Sequence, residues 1–231
     1  MKDLYIGSDS DYLQKTKSWH SEDSPWKANQ ILQMIKKNNL KPRTIVEVGC
    51  GVGEILYSMN ELFEDGNTTF EGYDIAEDAI NIARTKNNSN VKFFCKDFGG
   101  ENAKAFDLLL MIDVFEHVPD YIGFIANCSE KATYKIFHIP LDIHLSSILR
   151  GRLIAARNSV GHLHYFTKET ALATLEDAGL EILDYFYTDG STLPRKLRTK
   201  IANIPRNMLF PIFPDLTVKL IGGYSLLVLA K

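Results

Sequence analysis

The stretch TIVEVGCGVGE, residues 44–54, constrains this chain more than any other. A short β-branched run ends in glycines at 49, 51 and 53, and a helical pattern over 54–63 follows at once. A glycine turn between a buried strand and a helix lets the backbone approach a ligand closely and points the first helical N–H groups at it. From here strand and helix patterns alternate. Residues 70–74, 91–97, 106–113, 134–141, 180–188 and 224–230 read as strands. Residues 76–86 read as a helix with Ala76, Ala79, Ile80 and Ala83 on one face, and 119–130 as another. Thr167 is a good N-cap for a later helix that Gly179 closes. This order implies βαβ units, an α/β fold with a mostly parallel sheet covered by helices on both faces, and a ligand at the carboxyl edge of the strands.

Several acidic residues stand on that edge. Glu47 ends the first strand, where a carboxylate suits an amino group or hydroxyl better than a pyrophosphate, which it would repel. Asp74 ends the second strand, placed to accept hydrogen bonds from a ribose diol, and Ile75 after it could cover an adenine face. Asp97 and Phe98 follow the third strand, one suited to an exocyclic amine and the other to stacking. In the turn itself Gly49, Cys50, Gly51 and Gly53 form the cradle, and Glu54 occupies the place where a dinucleotide fingerprint wants its third glycine.

These residues resemble the class I S-adenosylmethionine-dependent methyltransferases. Glu47-Val48-Gly49-Cys50-Gly51-Val52-Gly53 is similar to the family's first motif, Tyr73-Asp74-Ile75 to its second and Lys96-Asp97-Phe98 to its third. The run from Phe106 to Asp113, followed by Val114-Phe115-Glu116-His117-Val118, resembles its fourth. The resemblance implies a Rossmann-like, doubly wound sheet of seven strands with the last antiparallel. It also implies S-adenosyl-L-methionine as the methyl donor, bound by Glu47, Gly49, Cys50, Gly51, Gly53, Asp74, Ile75, Asp97, Phe98 and Asp113. Residues 1–43, with Tyr5, Tyr12, Trp19 and a helix opened by Ser24-Pro25, form an N-terminal helical cap segment. Residues 44–231 form the catalytic domain, with helical insertions at 142–166 and 190–222.

Methyl transfer to a hydroxyl needs an aligned nucleophile and a base. Asp113, Glu116, His117, His138, His144, His162 and His164 are the candidates. His117 and His144 are first choices for the base, with Asp113 beside them, because imidazole titrates near neutral pH. His138 lies inside a strand pattern and reads as a packed residue, whereas His162 and His164 read as caps of the following helix. The expectation is a site without metal. Ubiquinone-pathway O-methyltransferases have a similar acidic-x-x-Glu-His cluster that holds a divalent metal, and Asp113, Glu116 and His117 would share one face if this segment were helical.

Composition narrows the acceptor. With 26 basic and 29 acidic residues the net charge is −3, which disfavours a broad phosphate-tracking surface and hence nucleic acid. No Asn/Asp-Pro-Pro-Tyr follows strand four, and a small-molecule acceptor with an oxygen nucleophile remains. The Ser21–Lys27 opening resembles methyltransferases of glycan or secondary-metabolite type. The three cysteines form no CxxC pair, and neither an apolar leader nor a bilayer-length apolar run occurs, so a reduced, cytoplasmic protein is expected. Residues 190–222 hold Arg195, Lys196, Arg198, Lys200, Arg206 and Lys219 against Asp215, interleaved with apolar residues. That segment is either a solvated face or a lid touching an acidic substrate or a membrane surface. Two other functions stay open: a non-catalytic module that binds the donor or its demethylated product, and an NAD(P)-dependent oxidoreductase. The second lacks the tyrosine-lysine pair of short-chain dehydrogenases.

Overall fold

The computed structural model describes residues 21–63, 66–100, 105–189 and 204–231. The apolar runs become seven strands: β1 (Thr44–Val48), β2 (Thr69–Asp74), β3 (Val91–Cys95), β4 (Phe106–Ile112), β5 (Ala132–Pro140), β6 (Ile182–Thr188) and β7 (Ser225–Ala230). They form one sheet in the order β3-β2-β1-β4-β5-β7-β6. β1 to β5 pair in parallel, and β7 runs antiparallel to both β5 and β6. The chain winds outward from β1 through β2 to β3, then crosses back to β4 on the other side of β1. That reversal opens a crevice at the carboxyl ends of β1 and β4.

Helices cover both faces because the central strands are apolar on both. β4, Phe-Asp-Leu-Leu-Leu-Met-Ile, buries every residue but Asp107. Ile45, Leu108, Leu110 and Ile136 point into one core, with α1 (Ser24–Lys37), α2 (Glu54–Leu62) and α3 (Glu77–Arg84). Val46, Leu109, Met111 and Phe137 point into the other, with α4 (Tyr121–Ser129) and α7 (Lys168–Asp177). Two helical pairs lie outside these layers. α5 (Leu145–Leu149) and α6 (Arg152–Val160) follow β5, and α8 (Ile204–Leu209) and α9 (Pro214–Leu220) precede β7. The C-terminus of α1 is tied to β6 by Lys37 and Asn38, which donate to Asp184 at 2.8 and 2.9 Å.

Local chemistry moves several boundaries. The helix expected from 119 begins at Tyr121, because the Asp120 side chain accepts from Gly123 N and so caps it. Strand three stops at Cys95, two residues early, because Phe98–Gly100 turns into a 3-10 helix. Asp23, not Ser24, occupies the N-cap of α1, without a side-chain hydrogen bond, and Pro25 sits in the first turn. Thr167 does cap α7, in a reciprocal box with Thr170. Tyr5, Tyr12, Trp19, Arg195, Lys196, Arg198 and Lys200 lie outside the described residues. Among the described residues no helix is long and apolar enough to cross a membrane.

Ile136 is fully buried at the centre of β5. Ile136→Ala should cost about 2–5 kcal/mol by lost burial and cavity formation, read as a lower urea midpoint with an unchanged slope.

Candidate functional site

The turn after β1 is held by its neighbour strand. Gly49 N and Cys50 N both donate to Tyr73 O, at 2.8 and 3.1 Å, and Gly51 N donates to Asp74 Oδ2 at 2.9 Å. Gly49, Gly51 and Gly53 have φ of +74°, +51° and +76°, the left-handed region that side chains disfavour. A Cβ at Gly49 would stand 2.6 Å from a Val114 methyl, and one at Gly53 would stand 2.4 Å from the Phe93 ring.

A cavity of about 810 Å³ opens beside this turn. Of the residues expected to hold the donor, Glu47, Gly49, Cys50, Gly51, Asp74, Ile75, Asp97, Phe98 and Asp113 line it. Two roles are corrected. Gly53 is not among the lining residues and instead lets Phe93 pack beneath the turn. Phe98 reaches the wall, but its ring is only 1% exposed, packed on Tyr73 and Phe106 with the Lys131 ammonium over it, so no free face remains for stacking. Asp74 carries a second duty, since Oδ1 accepts from Ala76 N at 2.8 Å while Oδ2 holds Gly51. Each oxygen keeps a further lone pair for a ligand. Burial raises the Asp74 carboxyl, opposed by these N–H groups. Asp97 uses Oδ1 to accept from Gly99 N at 3.0 Å.

Glu47 is 2% exposed, and its Oε2 has no hydrogen-bond partner. Burial pushes its pKa well above the carboxylate range, against the pull of Lys27 and with the help of Asp74. The buried carboxyl therefore carries more protons in the folded than in the unfolded chain, so wild-type stability declines as pH rises above the unfolded value of about 4.3. Glu47→Gln removes that term. The variant should gain on the ligand-free wild type by about 1.4 kcal/mol per pH unit from there up to the folded pKa, read by urea unfolding between pH 4 and 8. A constant difference across this range would place the carboxyl in water.

Opposite the turn, Asp113 has φ +55° and links three elements. Its Oδ2 meets Lys27 Nζ of α1 at 2.7 Å, and its Oδ1 meets His138 Nδ1 of β5 at 2.6 Å. His138 Nε2 in turn lies 2.8 Å from Thr188 Oγ1 of β6. Burial alone would raise the Asp113 carboxyl, but His138 and Lys27 overcome it and hold the pKa far below the usual range. His138 is buried as expected of a strand residue, yet it also lines the cavity and orients Asp113. Its place near the end of β5 was the available signal.

Phe115–His117 form a 3-10 turn, not the helix that would align Asp113 with Glu116 and His117. Committed to Lys27 and His138, Asp113 leaves that set, and His162 replaces it. The carbonyl of Glu116 accepts from Leu163 N and His164 N, at 2.8 and 3.1 Å, and so clamps the segment before α7 against the turn. Donor atoms of Glu116, His117 and His162 lie within 4.8 Å of one another. His117 Nδ1 is 3.1 Å from Gly161 O, and His162 Nδ1 is 2.6 Å from Asp142 Oδ2. Both partners accept, so each Nδ1 carries a hydrogen, which leaves Nε2 as the atom of each ring that could ligate. Burial first, then His162, lowers the His117 pKa, which favours the neutral ring. Glu116 is fully buried with neither carboxylate oxygen hydrogen-bonded, Oε1 lying 4.0 Å from His117 Nε2, a set that could hold a divalent cation.

His144 is corrected as well. It is absent from the cavity wall and caps α5, its Nδ1 accepting from Ser147 N at 3.2 Å. Nor do His162 and His164 cap α7. His164 packs on Tyr121, with ring centroids 4.2 Å apart, and Nε2 lies 3.0 Å from Val118 O.

With this geometry in hand, comparison with known proteins is informative. Residues 19–185 match the family model described as a methyltransferase domain. A ubiquinone biosynthesis O-methyltransferase of Vibrio parahaemolyticus is 27% identical over 135 residues, covering 54% of this chain and 54% of that protein. One of the same name from Xanthomonas axonopodis is 27% identical over 187 residues, covering 72% and 77%. The chain thus spans about half the length of the first of these relatives. Among solved structures, a plantazolicin methyltransferase in complex with S-adenosylhomocysteine superposes with a TM-score of 0.62 at 18% identity, covering 100% of this chain and 93% of that one, and shares the fold. The glycine turn, the acidic strand ends and the domain match together place the chain in the class I S-adenosylmethionine-dependent methyltransferases.

Proposed function

We propose that this chain transfers a methyl group from S-adenosylmethionine to an oxygen of a small organic acceptor. One observation carries the reading: a single cavity joins the glycine turn and strand-end carboxylates to a wall holding His117 and His162. Its 810 Å³ lies inside the range of roughly 300–1,000 Å³ typical of small-molecule sites. The donor supplies a methyl group on a positively charged sulfur. Glu47 would receive its ammonium group at the unpartnered Oε2, Asp74 its ribose hydroxyls, and Asp97 its exocyclic amine. Ile75, 40% exposed on the same wall, would cover the base.

The acceptor would lie against Trp26, Val118 and Val160, near His117. A neutral amine needs no base before methylation, whereas a hydroxyl must give up a proton. A neutral His117 whose Nε2 carries a lone pair meets that need, and the relatives named O-methyltransferases agree with it. A divalent cation, if bound, would be held by Glu116, His117 and His162 and would acidify an acceptor hydroxyl in place of the base. The unpartnered oxygens of Glu116 favour this second arrangement.

Incubation with methyl-labelled donor and a panel of phenols, polyols and sugars should give oxygen-methylated product. His117→Ala should lower kcat by about 10²–10⁴-fold while leaving S-adenosylhomocysteine affinity within about twofold. Asp74→Ala should weaken that affinity by about 1–3 kcal/mol in calorimetry, and Gly51→Val should abolish it, since Gly51 has φ +51° on the cavity wall. Donor binding without transfer to any acceptor would make the chain a binding module. Loss of turnover in EDTA, restored by a divalent cation, would assign the Glu116 cluster to metal. Turnover unchanged in EDTA would assign proton removal to His117.

A further inference from the structure

Most of the large apolar side chains left exposed among the described residues lie on the two helical pairs outside the sheet layers. On α5, Leu145, Ile148 and Leu149 recur at helical spacing, with Leu149 77% exposed. Met208 on α8 and Ile212 beyond it are 69% and 67% exposed, and Leu216 and Leu220 repeat the pattern on α9. The pairs are neighbours: α5 contacts α9, and Ser146 Oγ donates to Ile221 O at 3.2 Å. α6 is the more telling helix. Its nine residues include Leu153 and Ile154, yet none is buried. Helices this short are marginal in water without a packed face. Val160 at the end of α6 and Gly223 just past α9 line the cavity, so this surface borders its rim.

The charge on this face selects its occupant. Residues 143–168 carry Arg150, Arg152, Arg157 and Lys168 and no acidic residue, in a chain of net charge −3. The three arginines are exposed, and among the described residues none makes a side-chain ion pair. The acidic groups nearby are engaged, Asp215 with Lys168 at 2.7 Å and Glu169 with Lys219 at 2.6 Å. A second copy docked here about a twofold axis would set the arginines against themselves. Apolar side chains interleaved with unpaired arginines on short helices fit the boundary between acyl chains and anionic headgroups. We infer that α5, α6, α8 and α9 form a docking face for an anionic lipid bilayer, seated beside the mouth of the cavity.

This inference concerns where the protein works and stands apart from the methyl-transfer reading, so its test needs no acceptor. Full-length protein is co-sedimented with vesicles of phosphatidylcholine alone and with vesicles containing about one-third phosphatidylglycerol. Binding should require the anionic lipid and weaken at high salt. Arg150→Glu/Arg152→Glu/Arg157→Glu and Ile148→Asp/Leu149→Asp should each reduce it about tenfold or more. S-adenosylhomocysteine affinity, measured in parallel, should stay within about twofold. Leu149→Ser, at a site 77% exposed, serves if the double variant fails to fold, and should itself reduce binding severalfold. Sedimentation indifferent to phosphatidylglycerol would overturn the inference. So would a concentration-dependent dimer that Ile148→Asp/Leu149→Asp abolishes in a protein that does not bind vesicles.

Discussion

The site depends on the hydrogen bonds that fasten the β1 turn to the end of β2. Tyr73 O takes two N–H groups of the turn, and the Asp74 carboxylate takes Gly51 N on one oxygen and Ala76 N on the other. A buried carboxylate without such donors would carry a large desolvation cost. Here two backbone N–H groups offset much of it, and one of these bonds holds Gly51 at its positive φ. With the turn fixed, α2 begins at the cavity, and its first two residues, Glu54 and Ile55, stand on the wall. Two adjacent strand ends therefore build this edge of the cavity together.

A second polar network fixes the opposite wall. Lys27, Asp113, His138 and Thr188 come from α1, the end of β4, β5 and β6, and their contacts run from 2.6 to 2.8 Å. Removing one member of such a buried chain leaves a charge without a partner, so the network fixes position more than it adds net stability. It also explains why Asp113 stands apart from Glu116 and His117, for its left-handed backbone turns the carboxylate toward the sheet. The space it vacates is filled from elsewhere in the chain, where the Glu116 carbonyl clamps the segment carrying His162.

The two halves of the cavity thus differ in construction. The half beside the glycine turn rests on strand ends within a sheet whose central residues are fully buried. The other half is closed by a 3-10 turn, the N-terminus of α1 and the end of α6. Function placed on connections over a rigid scaffold is a common division of labour. It brings the arginine-bearing helices next to the opening, where a docked surface would meet the cavity.

The sequence by itself determined the alternation of strands and helices, the glycine turn, the Thr167 cap and the carboxylates at the first three strand ends. Each of these follows from a few consecutive residues: burial needs apolar runs, positive φ needs glycine, and orphan N–H groups need a cap. Only the tertiary structure decided which distant groups meet. Whether His144 caps a helix or faces the cavity, whether Asp113 joins Glu116 or His138, and whether Phe98 stacks or is buried all turn on contacts between residues far apart in the chain. Glu116 and His162 stand 46 positions apart and are neighbours through one carbonyl. No local pattern encodes such a contact, because its energy exists only once the chain has folded.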